Sequence, residues 1–244
     1  MITVPTYNSI LYRRNEVWFN DDPTPNCSAD NTIFYQSSVI PLDPNIYVTE
    51  FKSSIIDLNR PLDDILARVN STFRNHIRRA DKCGIRFARC DSSSEAVIHF
   101  LESQREWGKT KERTTISQSR LNAILKHGSG RIFAAMLDDS PLVYHLYVSD
   151  GQRARMVTSH TVPSDASAKT VGYANKKLHF EAIKNFKENS FSKYDFGGVD
   201  DIKTPGIAKF KKSFGGNEEV SYNFSLTKGV YSLVQKLQTL RQKS

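Results

Sequence analysis

A chain of 244 residues, 39% hydrophobic and 25% charged, carries enough apolar material for one large domain or two small ones, which excludes a wholly disordered polymer. Its formal charge of +8 favours anionic partners, and DNA, RNA, phosphorylated cofactors, nucleotide-sugars and acidic lipid headgroups all qualify at this level. The three cysteines, Cys27, Cys83 and Cys90, lack metal-ligand spacing and cannot all pair, so neither a zinc module nor a disulfide scaffold is expected.

The start, Met1-Ile2-Thr3-Val4-Pro5, has no basic stretch followed by an apolar one, and no apolar run approaches the roughly 20 residues that span a bilayer. The expected location is the cytoplasm, at most at the inner face of the membrane.

The elements follow in chain order. Residues 10–12 and 17–19 flank Arg13-Arg14-Asn15-Glu16 and suggest a hairpin, and 21–30 reads as a loop. The β-branched stretch 47–58 reads as a strand. One long helix then runs from Pro61 to Cys83, with Leu62, Ile65, Leu66, Val69, Phe73, Ile77 and Ala80 as its buried stripe and Gly84 as its left-handed stop. A half-buried strand over 85–89 follows, then a helix over 93–107, a polar connector over 109–117 and a helix over 118–126. Strands over 131–137, 142–149 and 152–161 are separated by the turn signals Asp138-Asp139-Ser140-Pro141 and Asp150-Gly151. After a loop over 162–170 come a helix over 173–187, a strand at 194–196, a basic helix over 206–213, a strand over 219–226 and an amphipathic helix over 230–240. Antiparallel hairpins mixed with single helices make an α+β fold.

Two segments carry chemistry. The first, Lys169 to Glu181, sets Gly172 beside small residues at the expected mouth of a helix, where free N–H groups hold phosphate and Lys169, Lys176 and Lys177 add charge. The plainer alternative is that Gly172 only turns the chain into the helix. The second runs from Tyr194-Asp195-Phe196-Gly197-Gly198 to Phe210-Lys211-Lys212-Ser213-Phe214-Gly215-Gly216. There, paired glycines leave backbone open at a strand end and an ammonium follows an aromatic ring. Phe210 and Phe214 also fit as simple core anchors.

Lys169-x-x-Gly172-x-Ala174 resembles the coenzyme A pyrophosphate motif of the GNAT superfamily, with Lys where that family has Arg or Gln. Gly172-Tyr-Ala-Asn-x-x-Leu178-His-x-Glu181-Ala182, Tyr194-Asp-Phe-Gly-Gly198 and Gly206-Ile-x-x-Phe210-Lys211-x-x-Phe214-Gly-Gly216 are similar to the C-terminal signature of FemAB-like transferases. The helix carrying Arg74, Arg78 and Arg79 resembles that family's basic helix. The resemblance covers about residues 60–225.

It implies a central twisted sheet, mixed but mostly antiparallel, flanked by helices and split by a V-shaped gap. Residues 1–108 would form a partial GNAT-like lobe and 109–244 the acyltransferase core. The implied donor is acyl-CoA, or aminoacyl-tRNA as in peptidoglycan-modifying members. The acceptor is an amine on a cell-envelope or polysaccharide precursor, a nucleotide-linked amino sugar among the choices, with no DNA and no metal.

In this reading Lys211 stabilises the oxyanion, and Phe210 packs the acyl or adenosine portion. Lys169, Gly172, Tyr173, Ala174 and Asn175 hold the donor phosphate. Arg74, Arg78 and Arg79 meet phosphates of the acceptor or of tRNA, or else form a solvated face. Asp195 orients the amine or caps a loop, and His160 is the candidate base. Tyr144, His145, Gly197 and Gly198 complete the substrate side, although His145 and His160 also fit as ordinary sheet residues. A non-catalytic RNA- or membrane-surface-binding module is the reading from another class.

Overall fold

The computed structural model describes residues 1–9, 12–25, 29–90 and 94–228. Its elements in chain order are β1 (Ile2–Asn8), β2 (Arg13–Trp18), β3 (Asn31–Ser37), β4 (Val48–Asp57), α1 (Leu62–Arg68), α2 (Ser71–Lys82), β5 (Arg86–Arg89), α3 (Ser94–Lys111), α4 (Gln118–His127), β6 (Arg131–Leu137), β7 (Ser140–Ser149), β8 (Arg153–Thr161), α5 (Ala168–Glu188), β9 (Lys193–Gly198), α6 (Pro205–Lys212) and β10 (Asn217–Thr227). The strands and helices are intermixed, as an α+β fold requires.

The chain forms two compact units. One gathers Met1–Phe51, Ser119–Gly128 and Val220–Ser244; the other gathers Lys52–Gln118 and Ser129–Glu219. The segments interleave, so the units do not follow a single cut after residue 108.

In the first unit the strand order is β1–β2–β3–β10. Phe34 stacks on Phe224 at 4.6 Å over Val17, and the buried Glu16 carboxylate accepts two N–H bonds from Arg120, at 2.7 and 3.1 Å. The hairpin expected over 10–19 is not formed. Arg13–Trp18 is one continuous strand paired with β1, and ahead of it Ser9 N–H donates to Tyr12 O. Alternation drives this outcome, since Glu16 faces inward to Arg120 and needs an extended backbone. Ile10 and Leu11 lie outside the described residues, as do Cys27, Ser93 and the expected helix over 230–240.

In the second unit the order is β4–β9–β8–β7–β6–β5, all antiparallel except β8 with β9. The parallel pair is connected through α5, as a parallel crossover needs. The β8–β9 register runs from Arg153↔Lys193 to Arg155↔Asp195, although β8 continues to Thr161 and β9 to Gly198. The two strands therefore part after three residue pairs, which is the gap expected in the sheet.

The core beneath α5 is aromatic: Phe133, Tyr147, Phe186, Tyr194, Phe196 and Phe214 are all essentially unexposed. Burial of each such ring contributes roughly 2–3 kcal/mol.

Two corrections bear on the site. The single helix expected over 61–83 is two. Asn70 breaks it by adopting an extended conformation (φ −49°, ψ 138°) and capping α2, its side chain accepting from Thr72 N–H at 2.9 Å. The helix expected from 173 begins at Ala168, because the Ser167 hydroxyl accepts from Thr170 N–H at 3.1 Å and sets the cap there. No helix among the described residues is long and apolar enough to cross a membrane.

Candidate functional site

At the parted end of β8 and β9, strand β9 carries a glycine in the left-handed region. Gly197 has φ +74°, and a Cβ there would come within 3.3 Å of both the Arg155 guanidinium and Met156 O, so only glycine fits without strain. Its N–H donates to Asp195 Oδ1 at 2.7 Å. Asp195 Oδ2 accepts from Arg153 Nε and Nη2 at 2.9 and 2.7 Å, and Arg153 also reaches Glu219. Asp195 is fully buried, so both its oxygens brace Gly197 and the strand pair rather than standing open to an amine.

Beyond the end of β9 comes α6, opened by Pro205 in its first turn. Lys211 Nζ donates to Gly198 O at 2.6 Å. Burial draws the pKa of this lysine down to about 8, the nearby Arg155 guanidinium adds to the fall, and Asp195 opposes it. A partly desolvated cation thus sits at the mouth of the split sheet. The second glycine pair has a packing cause, since a Cβ on Gly215 would meet Arg68 O at 2.5 Å.

The α2 and α5 helices supply the neighbouring surface. Lys176 Nζ donates to Gly172 O at 3.0 Å and lies 4.9 Å from the Phe73 ring and 5.7 Å from the Phe210 ring. Cation–π contacts of this kind retain a charge that burial would otherwise disfavour, and the Lys176 pKa is lowered by burial. The His76 ring packs at a tilt of 48° on Tyr173, 4.8 Å between centroids, and Arg79 donates to the Tyr173 hydroxyl at 3.1 Å. Burial lowers the His76 pKa, with Lys176, Arg79 and Lys169 adding to the effect, so three cations surround one imidazole.

Gly172 is therefore beside the Phe210–Lys211 helix, linked through Lys176, but it is not a helix mouth. The open end of α5 is at Ala168 and Lys169, and Gly172 lies one turn inside. Ala174 is fully buried, and Tyr173 nearly so.

The inner face of α5 leads into a buried polar chain. Asn175 Oδ1 lies 2.9 Å from His145 Nε2, His145 Nδ1 lies 3.0 Å from the Tyr147 hydroxyl, that hydroxyl 2.8 Å from the Tyr194 hydroxyl, and the last 2.7 Å from His179 Nδ1. Burial lowers the His145 pKa to about 4 and places that of His179 well below the ordinary value, so both rings are neutral.

Other expected site residues lie elsewhere. Tyr144 pairs with His160 across β7 and β8 and faces α3, whereas His145, the next residue, faces α5. His160 Nε2 is 2.9 Å from Ser103 Oγ, and Tyr144 bonds His99. Burial, with His145 and His99 nearby, takes the His160 pKa to about 3. His160 is thus on the opposite face of the sheet from the α5 chain, and the structure does not bring it to Lys211. Arg74 is committed to the α1–α2 joint, where its guanidinium donates to the carbonyls of Ala67 and Val69. Arg78 is exposed and bonds only its neighbour Asn75 among the contacts seen.

Sequence reasoning missed His179, Tyr147, Tyr194, Arg153 and Arg155. His179 sat inside a motif already singled out, but nothing local shows that it meets a tyrosine on a strand. Among the described residues no group of three or more His, Cys, Asp or Glu is placed to hold a metal ion.

Comparison with known proteins places this geometry. Solved structures similar in fold include the C-terminal domain of a proposed lysylphosphatidylglycerol synthetase from Agrobacterium fabrum. That match has 15% identity and a TM-score of 0.59, over 86% of this chain and 72% of that one. FemX matches with 16% identity and a TM-score of 0.59, over 75% of this chain and 63% of its own. L-PGS from Bacillus licheniformis matches with 11% identity and a TM-score of 0.55, over 85% of this chain and 71% of that one. No curated protein sequence matches the chain. The model of the acetyltransferase (GNAT) domain matches residues 67–212, spanning the gap, α5 and α6, and the chain belongs to that family.

Proposed function

We propose that the chain is an N-acyltransferase that moves an acyl group from acyl-CoA to an amine on a cell-envelope or polysaccharide precursor, acting in the cytoplasm. The observation that carries this reading is the partly buried Lys211 cation at the parted end of β8 and β9. Acyl transfer to an amine passes through a tetrahedral oxyanion, and a desolvated, pre-positioned cation stabilises it far better than a solvated one. Phe73 and Phe210 offer aromatic surface to the acyl or adenine portion. Lys169, Arg79 and Lys176 supply charge for phosphate.

One observation favours a second donor, aminoacyl-tRNA. Ser167 already occupies Thr170 N–H, so the open turn of α5 is short, while the three cations around His76 are spread as a polyanion would use them. The FemX likeness, one of fold, is in keeping with it.

The test is binding to the two donors. Acetyl-CoA should raise the melting temperature if the thioester reading holds; retention of aminoacyl-tRNA on a gel with no acetyl-CoA effect selects the second reading, and neither response rejects both.

A further inference from the structure

The buried chain from Asn175 to His179 has only one consistent direction. Asn175 presents its carbonyl oxygen, which only accepts, so His145 Nε2 carries the hydrogen. A neutral imidazole has one N–H, so His145 Nδ1 is an acceptor and takes the Tyr147 hydroxyl proton. The Tyr147 oxygen must then accept from Tyr194, and the Tyr194 oxygen must accept from His179 Nδ1. His179 is thereby fixed as the Nδ1–H form, and its Nε2, aimed away from Tyr194, keeps a free lone pair.

The surroundings of His179 hold its ring in the neutral form, since burial first, and then His145, Lys211 and Lys176, lower its pKa. β7 contributes His145, whose ring centroid is 4.2 Å away, and Tyr147; β9 contributes Tyr194; α6 contributes Lys211; α5 itself contributes Lys176. No carboxylate faces it among these groups. The ring packs against Phe196, Phe210 and Phe214, and of these only Phe210 is partly exposed. Phe210, on the same short helix as Lys211, is thus the member of this aromatic wall that reaches the surface.

We infer that His179 is a catalytic residue of the acyl transfer, the acceptor of the amine's proton, and that Asn175, His145, Tyr147 and Tyr194 are positioning residues that keep its Nε2 unprotonated. The role rests on the acyltransferase reading of this site. As the amine nitrogen bonds to the acyl carbon, its N–H proton passes to Nε2 and gives an imidazolium. When the tetrahedral oxyanion collapses, the bond to the leaving sulfur or ester oxygen breaks. The leaving atom takes that proton, departs as thiol or alcohol, and His179 ends neutral.

Two measurements on the full chain test this. Long-range proton–nitrogen correlation spectra of the histidine side chains should show His179 as the Nδ1–H form and His145 as the Nε2–H form. In Asn175→Leu the His179 signal should gain Nε2–H character; an Nε2–H His179 in the parent, or no change in that variant, overturns the positioning scheme. His179→Gln keeps a polar partner for Tyr194 but has no basic nitrogen. With acetyl-CoA or alanyl-tRNA as donor and glycinamide as acceptor, it should lower kcat about a hundredfold or more and leave KM within about threefold. Turnover that survives His179→Gln overturns the catalytic role alone. Absence of turnover in the parent chain sinks the acyltransferase reading, and this role with it, while the spectra still decide the direction of the chain.

Discussion

The ammonium of Lys211 and the carbonyl of Gly198 are joined across 2.6 Å, which pins α6 over the point where β8 and β9 separate. The link puts a cation at the end of β9, and burial rather than a partner carboxylate sets the lysine's acidity. The consequence is a charge held near its own titration point.

That position predicts an alkaline limit. Lys211 is a cation below about pH 8 and neutral above it, so acyl transfer that relies on the cation should fall as pH rises through that value. In Lys211→Arg the guanidinium stays charged, so a limb caused by Lys211 should move out of the range. A pH–rate profile in which the limb stays in the arginine variant assigns it to another group.

Acid should destabilise the fold through its buried histidines. His145 and His160 have folded pKa values of about 4 and about 3, depressed chiefly by burial, below the ordinary 6.5. The unfolded chain therefore takes up protons first. Stability present above pH 6.5 is lost as pH falls through the window down to those folded values, at about 2 kcal/mol per histidine by about pH 5. The melting temperature measured between pH 7 and 5 should drop, and less steeply in His160→Gln. Equal slopes in parent and variant contradict the assignment.

Asp195 is predicted to act on stability before chemistry. Removing it takes two hydrogen bonds from the Arg153 guanidinium, 10% exposed at its side chain, leaves Glu219 as its carboxylate partner, and deprives Gly197 N–H of its acceptor. Asp195→Ala should cost about 3–5 kcal/mol in denaturant unfolding. A loss under about 1 kcal/mol would show that the pair is not the brace described.

The α1–α2 break makes a smaller prediction. Asn70→Ala removes the side-chain acceptor for Thr72 N–H and should cost about 1 kcal/mol, while Asn70→Ser should recover most of it. Equal stability of the two variants contradicts the cap.

Much of the fold was legible because its signals are local. The hairpin turns around Asp139 and Gly151, the stop at Gly84 (φ +76°) and strand β6 fall where residue chemistry places them. What failed was of two kinds. An apolar stripe continues unbroken past Val69 and Asn70, so periodicity alone joins α1 to α2, and only the capping geometry separates them. The start of α5 is set too late when Gly172 is read as the helix mouth, whereas Ser167 supplies the cap and one glycine inside a 21-residue helix is tolerated.

Lys211, Phe210 and Gly197–Gly198 are singled out by spacing and resemblance, and Lys211 Nζ reaches Gly198 O. His160 was not separable from His145 by sequence. Both sit on neighbouring strands, and only the α3 or α5 covering each face decides which one meets the α5 chain. His179 acquires its meaning from Tyr194, fifteen residues away, a relation that no local pattern encodes.

The most direct measurement is single-turnover acyl transfer by the parent chain and by Lys211→Ala, each first shown to be folded by its melting transition. The account predicts a loss of about a hundredfold to a thousandfold in the chemical step, the range for removing one oxyanion-stabilising group. A folded Lys211→Ala protein that turns over within about threefold of the parent contradicts it.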